Sequence, residues 1–191
     1  MKAPVFLTGM MGSGKSTAGR IVADRLGVPF IDLDARVQRI HGRSIEELFA
    51  EGEERFRRCE RVALESLVAE PAFAARGAVV ATGGGTIIDP HNRDAMIGVG
   101  TIVHLDVPVG ELAARLLQCG ERRPLLIGYA PHAGTDGLPT RLAELLAMRR
   151  AAYLDRSIVV DARGEPEAVA DRILAALGRP DDAVEADTQA S

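Results

Sequence analysis

Residues 9–17 read GMMGSGKST and satisfy the pattern G-x-x-x-x-G-K-[ST], which constrains the fold more than any other stretch of the chain. The pattern works only between a strand and a helix. Gly9, Gly12 and Gly14 let the backbone curl until successive N–H groups face an anion, and the helix that follows adds its positive end. The flanks agree. PVFLT (4–8) is a short apolar run, and Ile21, Val22 and Leu26 recur at helical spacing after the loop. Gly12, Ser13, Gly14, Lys15, Ser16 and Thr17 are therefore expected to hold a nucleotide's phosphates. Lys15 would reach the β- and γ-phosphates, and Ser16 would ligate Mg²⁺. Of the 23 cationic residues, Lys2 and Lys15 are the lysines and 21 are arginines, so lysine at position 15 stands out.

The rest of the chain alternates β-type runs with helical patterns. VPFID (28–32), GAVVAT (77–82), GTIVHLDV (100–107) and SIVVDA (157–162) follow the first run as strands. Helical patterns cover 15–26, a stretch broken near Gly42, 53–70, 108–117 and a last segment opened by Pro166. This predicts an α/β fold, a five-stranded parallel sheet with helices on both faces. Residues 118–140 are the exception, holding four glycines and three prolines without a sustained period. A stretch of that length and composition predicts a mobile lid. The expected organisation is one domain over 1–179 and a disordered acidic tail over 180–191.

Composition excludes several function classes. The net charge of −4 is carried by Asp181, Asp182, Glu185 and Asp187, and the remainder is neutral, so no basic face offers itself to nucleic acid. No apolar run approaches the length of a membrane span, and the first residues lack a signal-peptide pattern. The chain is expected to be cytoplasmic, with Cys59 and Cys119 as reduced thiols. A guanine-reading Asn-Lys-x-Asp element is impossible because no lysine follows position 15. At 191 residues the chain is also short for most motor ATPases. A compact kinase remains.

Several separated segments then bear on the phosphate acceptor. Asp32-Leu33-Asp34 ends the second strand, at the sheet edge where ligands of α/β folds sit. An extended backbone there would aim both carboxylates the same way; the competing reading makes Asp34 a helix N-cap. EGEERFRRCE (51–60), ATGGGTI (81–87), Arg123-Pro124-Leu125-Leu126 and Arg149-Arg150-Ala151-Ala152-Tyr153 complete the set. Three glycines in a row leave bare backbone that a small polyol could approach closely.

Together, over about residues 4–177, these segments resemble the shikimate kinases, a family with a P-loop fold like that of nucleoside monophosphate kinases. The resemblance implies Asp32 at the Mg²⁺ shell with Ser16, and Asp34 on the acceptor hydroxyls. It implies Arg57 and Arg149 on the acceptor carboxylate, and the Gly83-Gly84-Gly85 backbone beside the acceptor. Arg123 would close over the transferring phosphate, and Arg115 would pack on adenine. Lys15, Asp34 and Arg123 are the expected catalytic residues. The chain departs from the family where Arg-x-Pro-x-Tyr becomes Arg149-Arg150-Ala151-Ala152-Tyr153, and in a longer, glycine-rich lid. His41, His91, His104 and His132 match no motif and read as structural or surface residues. The reaction implied is ATP plus shikimate giving ADP plus shikimate 3-phosphate, by a monomer. The rivals are a gluconate or nucleoside monophosphate kinase, and a non-catalytic nucleotide-binding module.

Overall fold

In the computed structural model, residues 3–119 and 137–178 are described. Five strands, β1 (Val5–Thr8), β2 (Phe30–Asp32), β3 (Val79–Ala81), β4 (Thr101–Asp106) and β5 (Ser157–Asp161), form one sheet in the order β2-β3-β1-β4-β5. Every pairing is parallel. Alternation along β1 sends its residues to two different cores. Val5 and Leu7 pack with α1 (Lys15–Leu26), α7 (Val109–Cys119) and α9 (Pro166–Leu177). Phe6 packs on the other face with α2 (Leu33–His41), α4 (Glu53–Val68) and α6 (Pro90–Ile97).

Local chemistry explains the element ends. Gly27 and Gly42 close α1 and α2 in the left-handed conformation, with φ of 64° at both. Ser44 and Glu47 form a reciprocal capping box on α3 (Ile45–Ala50). Gly19 of α1 has no room for a side chain: a Cβ there would lie 2.9 Å from Leu7 Cδ1 and 2.8 Å from the Phe30 ring. That close approach seats α1 against β1 and β2.

Two short helices were not anticipated, α5 (Phe73–Arg76) and α6. Asp89 caps α6 by accepting from His91 N–H at 3.0 Å, and Pro90 occupies the first turn. An Asp-Pro pair before an apolar-polar mixture was the available signal. Both ends of the stretch expected as a lid, 118–140, are helical. Residues 118–119 end α7, and 137–140 open α8 (Gly137–Leu154), where Pro139 sits in the first turn and needs no N–H partner. The segment between, with Arg123 and His132, lies outside the described residues, as does the acidic tail.

Candidate active site

The loop after β1 has the curled backbone that its glycines permit. Gly9, Gly12 and Gly14 hold φ of 142°, 80° and 90°. At Gly9 the tightness is explicit: a Cβ would lie 2.8 Å from the Leu105 carbonyl oxygen and from Ser13 Oγ. Lys15 folds back over the loop and donates to the Gly9 and Met10 carbonyls, both at 2.9 Å, and to Ser13 Oγ at 3.3 Å. Among the described residues no side chain caps α1 at Gly14. Its first-turn N–H groups therefore open onto the adjoining cavity, the arrangement that attracts phosphate.

That cavity, about 500 Å³, brings Lys15, Ser16, Thr17, Asp32, Asp34 and Arg115 to one place. Ser16 Oγ donates to Asp32 Oδ2 at 3.0 Å. These two hard oxygen donors fit Mg²⁺, which binds through one or two protein oxygens and completes its octahedron with phosphate and water. Among the described residues no group of three or more His, Cys, Asp or Glu could hold a metal by itself.

The Asp32–Asp34 pair reaches the cavity differently from the extended-chain argument. The helix begins at Leu33, so Asp34 lies in its first turn, while Asp32 is the cap and accepts from Ala35 N–H at 3.2 Å. The capping role thus falls to the first carboxylate. Asp32 uses Oδ1 for the cap and Oδ2 for Ser16, which holds it rigidly. A Cβ on Gly83 would lie 3.0 Å from Asp34 Oδ1 and 2.7 Å from Glu60 Oε1, so Asp34 faces the glycine turn.

Arg57 approaches the turn from α4. Its Nη1 donates to Glu60 Oε2 and its Nη2 to Glu53 Oε1, both at 2.9 Å. The rings of Phe56 and Phe49 lie 5.1 and 5.9 Å from its guanidinium carbon, close enough to confine it. A side chain on Gly85 would run into this guanidinium. Glu60 is fully buried and also accepts from Thr86 Oγ1 at 2.5 Å. Its role in holding Arg57 went unassigned from sequence, although the i, i+3 spacing in 57–60 was the signal.

Arg149 arrives from α8. It is 6% exposed, and its Nη1 donates to the Gly84 carbonyl at 3.3 Å. Tyr153, one turn later on the same helix face, donates to that carbonyl at 2.5 Å. Arg150 is exposed. With the Gly84 carbonyl occupied twice, its N–H is the group left to meet a ligand.

Arg115 is pinned at the other end of the cavity, giving hydrogen bonds to Glu111 Oε1 at 2.5 Å, the Ala162 carbonyl at 2.9 Å and the Gly12 carbonyl at 3.3 Å. Gly164, Pro166 and Gln118 share its end of the cavity and were not named as site residues from sequence. Arg123 lies outside the described residues, so its placement over the cavity stays an expectation.

This layout carries a nucleotide-phosphate cradle at one end and two confined arginines around a glycine turn at the other. Comparison with known proteins agrees. The family model described as shikimate kinase matches residues 11–178. The chain belongs to the shikimate kinase family. A shikimate kinase of Synechococcus elongatus is 40% identical over 89% of this chain and 84% of its own length. Among solved structures, shikimate kinase from Bacteroides thetaiotaomicron superposes with a TM-score of 0.80 at 32% identity, covering 92% of this chain and 98% of that one. The enzyme from Acinetobacter baumannii, solved in complex with shikimate, gives 0.77 at 29% identity over 93% of each chain.

Proposed function

We propose that this shikimate kinase transfers the γ-phosphoryl group of ATP to the 3-hydroxyl of shikimate, giving ADP and shikimate 3-phosphate on the route to chorismate and the aromatic amino acids. The observation that carries the reading is the pairing of two confined guanidiniums, Arg57 and Arg149, around one glycine turn beside the phosphate cradle. A small acceptor bearing one carboxylate matches that pair, and its hydroxyls then fall towards Asp34.

In this reading Gly12, Ser13, Gly14, Lys15, Ser16 and Thr17 hold the phosphates, and Arg115 packs on the adenine. The carboxylate is gripped by Arg57 and Arg149, and Gly83, Gly84 and Gly85 offer backbone to the ring. Asp34 orients the attacking hydroxyl. Mg²⁺, held through Ser16 and Asp32, supplies charge compensation on the phosphates. Lys15 now bonded to loop carbonyls would swing to the transferring group, and Arg123 would join it from the lid expected over about 118–140. Phosphoryl transfer depends mainly on such alignment and charge placement. The enzyme is read as a cytoplasmic monomer with one domain over 1–179; among the described residues no helix is long and apolar enough to cross a membrane.

The test is ADP release measured against shikimate, quinate, gluconate and nucleoside monophosphates. Turnover with shikimate well above all the others is expected, and it should nearly vanish in Lys15→Ala. Preference for an acceptor without a carboxylate would overturn the clamp reading.

A further inference from the structure

A buried histidine stands behind the acceptor platform. The parallel register sets His104 of β4 beside Thr8 of β1, the residue that enters the phosphate loop. Two residues earlier, the same register pairs Ile102 with Phe6, so His104 and Thr8 lie on the sheet face that packs against α4, α6 and Tyr153. His104 is 4% exposed, and its ring stacks on that of Tyr153 with centroids 4.5 Å apart and planes 21° from parallel. Its Nδ1 has no hydrogen-bond partner among the described residues. A buried ring nitrogen kept without a partner is costly, and an aliphatic residue could fill the same space without that penalty. The ring's plane is what an aliphatic side chain cannot supply.

Tyr153 converts that plane into a position at the site. Its hydroxyl donates to the Gly84 carbonyl at 2.5 Å, and Arg149 meets the same oxygen at 3.3 Å. The carbonyl orients the Gly83–Gly85 turn, against which Asp34 and Arg57 also lie. Burial pushes the His104 ring down to about 4, helped by Lys15 of α1 and opposed by Asp106 of β4. The imidazole is thus neutral near pH 7 and adds no charge behind Lys15 and Arg149.

We propose that His104 is a positioning residue for the acceptor, its ring holding Tyr153 against the Gly84 carbonyl and thereby setting the glycine turn and Arg149. The proposal rests on the reading that Gly84 and Arg149 face the acceptor. It assigns a role to a residue that touches neither substrate.

The test compares His104→Phe, which keeps a flat ring, with His104→Leu, which keeps bulk and loses the plane. His104→Met replaces the leucine variant if that one does not fold. The aliphatic variant should raise the KM for shikimate roughly 3- to 10-fold, the scale of one hydrogen bond. The KM for ATP should stay within about twofold, and His104→Phe should restore the shikimate KM. In a Tyr153→Phe background, where the hydroxyl is already gone, the aliphatic change should add little. Equal rises in both KM values, no rise in either, or full additivity with Tyr153→Phe would each overturn the proposal. Arg149→Ala run alongside separates the two levels: if it leaves the shikimate KM unchanged, the acceptor reading itself has failed.

Discussion

Arg57 and Arg149 reach one glycine turn from different helices, and the difference in their support matters. Arg57 is confined by two carboxylates and two rings, whereas Arg149 leans on a carbonyl and the Met10 sulfur. Arg57→Ala and Arg149→Ala should each weaken shikimate binding by about 2–4 kcal/mol, the scale for stranding one side of a desolvated charge pair. Steady-state KM values should show it, with ATP binding barely changed. Arg150→Ala should stay near wild type, because that side chain is exposed. His104 supplies a second prediction at this scale. Its folded pKa, about 4, lies below the ordinary 6.5, so the unfolded chain binds more protons between those values. The neutral ring's stability is complete above pH 6.5 and is lost as pH falls towards 4, by about 3 kcal/mol in total. Urea unfolding between pH 4.5 and 7.5 should show a flatter acid limb in His104→Phe than in wild type. Parallel curves would refute it.

At the scale of elements, the position of the phosphate cradle depends on how closely α1 approaches the sheet. Gly19 is where helix and strands meet, with Leu7 fully buried beneath it. Gly19→Ala should therefore destabilise the fold by about 1–3 kcal/mol, the usual cost of forcing a methyl into a filled core. A gain in helix propensity of about 1 kcal/mol opposes this, but a contact of 2.9 Å to the fully buried Leu7 has to be relieved by a shift of that side chain or of the helix. Thermal unfolding should show a lower Tm, and the KM for ATP should rise as the loop shifts. A higher Tm would mean that the Phe30 ring simply swings away.

For the whole molecule, all five strands are parallel, so the carboxyl ends of β1, β2 and β3 open on one edge. That edge collects the phosphate loop, Asp32 and the glycine turn into a single crevice. The charge-rich machinery sits there, and α9, whose Pro166 and Val169 line the same cavity, ends at Leu177. Residues 180–191 follow that end and carry four carboxylates and little apolar surface. Their deletion should leave kcat and both KM values unchanged, since so polar a segment has little to offset the entropy of ordering. Altered kinetics in the truncated enzyme would show that the tail docks.

What the sequence determined by itself was whatever is encoded within a few neighbouring residues. The phosphate loop needs its glycines and Lys15 at fixed offsets, and α1 begins at Lys15 and ends at Leu26 as the pattern implied. The strands were legible because buried parallel strands are short apolar runs bounded by glycine and aspartate. Tertiary structure decided the rest, where the partners are distant in sequence. Asp32 became the cap in place of Asp34 because the chain turns into α2 two residues earlier than a cap at Asp34 would require, a choice that local propensity leaves nearly even. Arg149 rather than Arg150 faces the turn because α8 presents one stripe, Leu142, Leu145, Arg149 and Tyr153, to the core. Glu60 and His104 acquired meaning only when packing set them against Arg57 and Tyr153. A buried ionisable residue is placed by what surrounds it in space, and no spacing along the chain records that.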